Sequence, residues 1–311
     1  MQLLSRTTKF DFMGWRWPAL TVSLALMAIS VGSMVFRGFN FGIDFMGGVL
    51  LEVGYDNPVE LEDLRATLEA GGITDATLQT LGSARTIQIR LPPVEDAGVA
   101  EDDLGAEVLA VLRAQDPSVR RLGGTFVDSQ VGEDLAEQGG LAMFFATIMI
   151  FIYTALRFRW KFAAGAIAAL VHDAVLVLGV FSVFGLTFDL TVLAAVLAVI
   201  GYSLNDTIVI FDRVRENFRL MRRGTTTEIM NASINQTLSR TFVTALTVLL
   251  VLIALIWLGG DVVFGFSLAL IIGVVSGSYS TIYMATAVAL MLDVKPADLM
   301  PPKREAVDDL P

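Results

Sequence analysis

Gly201-Tyr202-Ser203-Leu204-Asn205-Asp206-Thr207-Ile208-Val209-Ile210-Phe211 closes an apolar run that begins at Leu190 and carries no charge before Asp206. About 20 apolar residues cross the hydrocarbon core of a bilayer as a helix, so Leu190–Phe211 reads as a membrane span. A carboxylic acid inside such a span costs about 2.5–3.5 kcal/mol on insertion scales. It is retained there when protonated, paired, or close enough to the rim to be hydrated. Burial raises a carboxylate's pKa and a nearby cation lowers it, so a group held between those pressures can load and unload a proton. A polar contact between helices is the plainer reading of the same residue, and the two stand level at this point.

Five more blocks of similar character surround this one: Pro18–Phe36, Gly139–Leu156, Phe162–Phe184, Thr241–Leu258 and Val262–Leu292. The last is too long for one upright span and must tilt, extend beyond the bilayer or break near Gly273–Tyr279. The chain of 311 residues is 54% hydrophobic and 17% charged, against about 45–50% and 25% in soluble domains. A soluble globular protein and a disordered chain are excluded. A formal net charge of −10 argues against nucleic acid as a partner. With no cysteine and one histidine, disulfides, thiolate chemistry and a transition-metal site have little to build on. No cofactor is expected, and no constellation for covalent catalysis is visible.

Six spans put both termini on one side. Of the 22 Lys and Arg residues, 15 fall in residues 1–17, the second-to-third loop, the loop 212–239 with Arg240, and the tail 293–311. The positive-inside rule therefore places the termini and these loops in the cytoplasm. The first span reads as an uncleaved anchor, since no small-residue cleavage site follows it. In the long loop, Asp212–Arg219 suggests one amphipathic surface helix. Thr225-Thr226-Thr227-Glu228 offers a capping box for a second helix running through Leu238.

Residues 37–138 then face outward, with 7 basic and 19 acidic residues. Their order reads β-α-β-β-α-β: strand Val49–Tyr55, a helix opened by Asn57-Pro58 and closed by Gly71-Gly72, strands Ala76–Leu81 and Ala84–Leu91 around a Gly82-Ser83 turn, helix Ala100–Gln115 and strand Val119–Val127. That is the ferredoxin-like split βαβ order. Solubility explains the acidity; steering of a basic partner is the alternative. Within the spans, His172-Asp173 sits near the middle of the third, Asn205-Asp206 in the fourth, and Arg240 at the mouth of the fifth. Each has a plain structural reading: a hydrogen bond between helices for His172 and Asp173, a snorkelling anchor for Arg240. Gly273-Val-Val-Ser-Gly277 has the small-xxx-small spacing of close helix contacts.

Four stretches resemble a known family. Phe41-Gly42-Ile43-Asp44-Phe45-Met46-Gly47-Gly48 is similar to the F-G-I-D-F-x-G-G signature that follows the first span in SecF members of the SecD/SecF protein-export family; Met46 fills a position more often held by Thr there. Val171-His172-Asp173 resembles the family's third-span motif. The stretch from Gly201 to Asn217 is similar to its fourth-span signature, and Ser233–Thr241 to the segment entering its fifth span. The resemblance implies a six-helix half bundle of the RND superfamily type, paired with SecD in the bacterial inner membrane. It implies association with the SecYEG channel and YajC, and use of the proton-motive force in late export of unfolded preproteins. It also implies proton-relay roles for Asp206 and Arg240, with Asn205, His172 and Asp173 as supporting polar groups. Phe41, Gly42, Asp44, Gly47 and Gly48 would lie at the periplasmic mouth, where a structural turn is the simpler reading of the glycines. A proton-coupled small-molecule exporter half and a non-transporting scaffold of the channel are the competing functions.

Overall fold

The computed structural model describes residues 8–74, 76–92, 101–127, 129–158, 160–221, 224–260 and 263–295. The expectations for Arg6, Arg159, Arg222, Arg223, Val262, Lys303 and Arg304 lie outside these residues. In chain order, a 3-10 turn Met13–Trp15 leads into α1 (Arg16–Phe36). It is followed by β1 (Asn40–Phe41), α2 (Ile43–Met46), β2 (Gly48–Gly54), α3 (Leu61–Ala70), β3 (Thr77–Leu81), β4 (Ser83–Leu91), α4 (Glu101–Gln115) and β5 (Arg120–Val127). Then come α5 (Ser129–Arg157), α6 (Trp160–Phe184), β6 (Thr187–Phe188), α7 (Leu190–Leu220), α8 (Thr226–Leu258), α9 (Phe264–Ser280), a π-helical turn Thr281–Ala285 and α10 (Thr286–Met291).

Among the described residues, six helical stretches are long and apolar enough to cross a membrane: α1 with its 3-10 turn, α5, α6, α7, α8, and α9 through α10. The chain is a multi-pass membrane protein. α6, α7 and α9 are the most buried and form the centre, while α1, α5 and α8 leave most of their apolar surface uncovered. The bundle core runs from Phe162, Ala166 and Ala169 on α6 to Val192, Val196 and Val199 on α7.

The soluble part is a four-stranded antiparallel sheet in the order β3-β4-β2-β5, with α3 and α4 against one face. Its connectivity is the β-α-β-β-α-β read from the sequence. The alternation of β4 works as period 2 demands: Ile87, Ile89 and Leu91 are buried against Leu64 and Leu68 of α3 and Val108 and Leu112 of α4. Two local details differ from expectation. α3 starts at Leu61 with Glu60 as N-cap, so Asn57-Pro58 lies three residues outside the helix. Val59 instead donates its backbone N–H to Ala84 O at 3.0 Å, holding the chain extended before the helix begins. The hairpin turns at Gly82 alone, with φ +67, because Ser83 already pairs with Leu81 in the ladder.

The loop 212–239 holds no separate helices. α7 runs 31 residues and α8 runs 33, or about 46 and 50 Å at 1.5 Å per residue, well beyond a ~30 Å hydrocarbon core. Nothing from Asp212 to Leu220 breaks a helix, so propagation continues past the bilayer, and Gly224 lies in the short connection. The capping box is present: Glu228 N–H donates to Thr225 Oγ1, and Thr225 N–H to Glu228 Oε2 at 2.8 Å. The two extensions clamp each other through Phe211, Val214 and Phe218 against Ile229, Met230 and Ile234. Asn217 Nδ2 crosslinks them by donating to Ser233 Oγ at 2.8 Å and Gln236 Oε1 at 3.0 Å. At the same end, Arg157 of α5 pairs with Asp212 of α7 at 2.8 Å.

The last span does not break within Gly273–Tyr279. α9 passes through that stretch unbroken and widens to a π turn only at Thr281–Ala285. The glycines there serve close contact instead. A Cβ on Gly273 would sit 2.0 Å from Val199 Cγ2 of α7, and one on Gly165 of α6 would sit 2.4 Å from Ala285 O in the π turn.

Candidate functional site

The polar centre of the bundle is built around Asp173, which is fully buried on α6. Its Oδ2 accepts hydrogen bonds from Ser203 Oγ of α7 at 2.6 Å and Ser280 Oγ of α9 at 2.7 Å. Its Oδ1 lies 3.0 Å from Nδ1 of the adjacent, equally buried His172. A carboxylate receiving this many donors in a low-dielectric interior is satisfied; one lacking them would be costly. The helices reach each other because Gly277 leaves room: a Cβ there would meet Ser203 Cβ at 3.2 Å and Asp173 Oδ2 at 3.5 Å. Next to Ser280, Thr281 at the head of the π turn shares a hydrogen bond of 3.0 Å with Thr207 of α7.

His172 Nε2 is buried and has no hydrogen-bond partner among the described residues. Its ring stacks on Tyr279, with centroids 6.2 Å apart. Tyr279 in turn donates its hydroxyl to Ala19 O of α1 at 2.7 Å and accepts from Ser23 Oγ at 3.4 Å. One polar network therefore ties α1, α6, α7 and α9 at mid-bundle.

Asp206 lies one turn beyond Ser203 on α7 and is 3% exposed. Among the described residues it receives no hydrogen bond, and its buried Oδ2 has no partner there. The expected attraction to Arg240 does not take the form of an ion pair among the described residues. Arg240 is exposed in the middle of α8, and its charge acts on Asp206 only through space. Asn205 also points away from the interior and is exposed. At 100° per residue it faces a different side of the helix from Asp206, so the two adjacent polar residues do not share an environment. Gly201, four residues earlier, lies on the same exposed side with nothing within 4 Å of where its Cβ would be.

The Phe41–Gly48 stretch forms a joint. β1 and β6 pair in parallel, Asn40 with Thr187 and Phe41 with Phe188, and Gly42 N–H donates to Phe188 O at 2.8 Å. Phe41, Phe45 and Phe188 cluster here with Phe39. Asp44 does not reach into the sheet unit. Its Oδ2 accepts from Leu190 N–H, the first residue of α7, at 3.0 Å. Asp189, the N-cap, accepts from Val192 N–H at 2.9 Å. Two carboxylates thus serve the free donors and positive dipole end of α7. Gly48 has φ +110, and a Cβ there would lie 2.2 Å from Leu91 O, so only glycine fits.

Ser203, Ser280, Tyr279 and Asn217 are the polar partners that residue-by-residue reading did not assign. Their one legible signal is helical spacing: Ser280 lies three residues beyond Gly277, and Ser203 three before Asp206.

Comparison with known proteins agrees with this architecture. The profile for the protein export membrane protein SecD/SecF C-terminal family matches residues 107–295, and that for the SecD/SecF GG motif matches residues 32–59. The chain belongs to the SecD/SecF family. Protein translocase subunit SecF of Pseudomonas aeruginosa is 48% identical over 307 residues, covering 97% of each chain. The SecF subunit of Vibrio alginolyticus is 45% identical over 98% of this chain and 96% of that protein. The crystal structure of SecDF from Thermus thermophilus, described as a translocon-associated membrane protein, superposes with a TM-score of 0.84 at 36% identity. It covers 94% of this chain, which in turn spans 40% of that longer SecDF chain. SecDF in a super-membrane-facing form gives a TM-score of 0.70 at 37% identity.

Proposed function

We propose that this member of the SecD/SecF family is the SecF-type subunit of a protein translocase. In this reading it works beside SecD at the SecYEG channel, with YajC, in the bacterial inner membrane. It uses the proton-motive force to complete export of unfolded preproteins. The termini and the α7–α8 extensions face the cytoplasm, and the acidic sheet unit, read as a ferredoxin-like domain, faces the periplasm.

One observation carries the mechanism: Asp206 is buried in a membrane helix with an oxygen that no described residue satisfies. A carboxyl group in that position either holds a proton or is completed from outside the chain, by a water-filled cleft or a partner subunit. The exposed Arg240 of α8, whose charge acts on Asp206 through space, marks the side from which SecD would supply that completion. A proton falling through ~150 mV supplies about 3.5 kcal/mol, enough to shift a two-state equilibrium a few hundredfold. Protonating Asp206 cancels its attraction for Arg240 and for partner groups. The helices then repack, and the sheet unit moves with them. Repeated cycles hold the emerging chain and oppose backsliding.

The test is Asp206→Asn in inner-membrane vesicles containing the full translocase and an imposed proton gradient. Gradient-dependent preprotein export and proton flux are both expected to fall at least tenfold. Wild-type values for both would remove Asp206 from the relay. Arg240→Lys is expected to retain export and Arg240→Met to lose it, since Arg240 acts on Asp206 through space and not as an ion pair among the described residues, which requires charge and not fork geometry. Full export with Met in place would end the cationic role.

A further inference from the structure

Arg90 lies near the end of β4, a central strand of the sheet, yet its side chain leaves the sheet unit. Its Nη1 donates to Phe41 O at 2.9 Å and to Asn40 Oδ1 at 3.2 Å, and its Nη2 to Thr187 Oγ1 at 3.5 Å. One guanidinium therefore touches both strands of the β1–β6 pair. Asn40 continues the chain by donating Nδ2 to Gly185 O in the turn that joins α6 to α7, at 3.0 Å. The backbone of Arg90 is held on both sides, opposite Leu50 of β2 and Thr77 of β3. The anchor is rigid at the sheet end, and its reach ends three to five residues from the start of α7.

The surroundings suit a fixed cation. Nε of Arg90 is buried with no partner among the described residues, so the guanidinium has given up part of its hydration. Burial pulls its pKa below the usual arginine range, and the charges of Asp189 and Asp44 oppose that shift. These are the two carboxylates that serve the N-terminus of α7. No carboxylate is within ion-pair distance of Arg90 among the described residues, so the attraction acts through space and the hydrogen bonds set the geometry.

We propose that Arg90 is a positioning residue that locks the sheet unit to the β1–β6 joint leading into α7, so that the unit and this helix move as one body. The proposal deepens the translocation reading and rests on it for what the motion accomplishes; the lock itself rests on geometry. α7 carries Asp206 sixteen residues after Leu190, about 24 Å along the helix. A shift of α7 driven at Asp206 would reach the sheet unit through Arg90 with no flexible linker between them.

The test uses the full chain in lipid nanodiscs. The sequence has no cysteine, so Glu69→Cys on α3 and Ala194→Cys near the start of α7 give two unique spin-label sites, both exposed. Double electron–electron resonance on the native Arg90 background is expected to give one narrow distance peak. Arg90→Met should at least double its width, and Arg90→Lys, which keeps charge but not the fork, should fall between. Asn40→Ala cuts the same path without touching the sheet core and should broaden the peak as well, which keeps the test decisive if Arg90→Met does not fold. Native width in both Arg90→Met and Asn40→Ala overturns the lock. Export is measured separately in gradient-driven vesicles, where Arg90→Met is expected to lose at least tenfold. Broad distances with wild-type export would uphold the lock and count against the translocation reading.

Discussion

Ser280, the last α-helical residue of α9, donates its hydroxyl to Asp173 Oδ2 of α6 at 2.7 Å, directly before the helix widens into its π turn. Ser203 of α7 reaches the same oxygen at 2.6 Å. Three helices thus meet on one carboxylate oxygen at mid-bundle, and the irregular turn begins where that contact ends.

The first expectation concerns this junction. Hydrogen bonds between membrane helices average about 0.6 kcal/mol and reach about 1.7, and a carboxyl acceptor places these two at the upper end. Ser280→Ala and Ser203→Ala should each destabilise the chain by about 1–1.7 kcal/mol. The double variant should cost more than their sum, because Asp173 Oδ2 then has no hydroxyl donor left. Equilibrium unfolding in mixed micelles reads all three, and strict additivity would show that the two hydroxyls do not share one acceptor.

Glycine positions with opposite surroundings give a second expectation. A Cβ on Gly165 would press on Ala285 O, a backbone atom fixed in the π turn. Gly165→Ala should cost about 1–3 kcal/mol, the range for forcing extra atoms into a filled site. A Cβ on Gly201 meets nothing within 4 Å. Gly201→Ala should leave the isolated chain unchanged or raise its stability by up to about 1 kcal/mol through helix propensity. Thermal melting of the detergent-solubilised chain separates them; equal losses would contradict the observed helix approach.

A third expectation belongs to the sheet unit. The Tyr55 hydroxyl is buried with no hydrogen-bond partner among the described residues. Burial, reinforced by the charge of Asp116, pushes its pKa from 10.0 up to about 12. Between these values the unfolded chain releases the phenolic proton and the folded one keeps it, so stability is full below pH 10 and falls as pH rises towards 12. Tyr55→Phe should match the wild type at neutral pH, since no hydrogen bond is lost, and should flatten the alkaline decline. Tyrosinate absorbance followed through an alkaline titration checks it. A tyrosine that ionises near pH 10 in the folded wild type and disappears in Tyr55→Phe would refute it.

Much of the fold was legible because it follows from short-range rules. Apolar blocks of bilayer length marked the spanning helices, and the alternation of Ile87, Ile89 and Leu91 marked a half-buried strand. The Thr225–Glu228 pair marked a helix start, which the structure shows in both its hydrogen bonds. Helix ends were less legible. Asp212–Arg219 looks amphipathic by itself, yet it continues α7, since a helix stops at a breaker and not where it leaves lipid. The π turn at Thr281–Ala285 carries no local signature, because it reflects how α9 and α10 fit against Gly165 and Thr207.

The sequence by itself determined that an acid stands inside a membrane helix at Asp206, that another stands at Asp173, and that an acidic β-α-β-β-α-β unit interrupts the first two spans. Those conclusions need only hydropathy, periodicity and the cost of charge in lipid. Tertiary structure decided which acid is satisfied. Asp173 gathers hydroxyls from helices 30 and 107 residues away in sequence, while Asp206 finds no partner among the described residues. Satisfaction of a buried polar group depends on which neighbours surround it in space, and one strand of letters does not contain that distance.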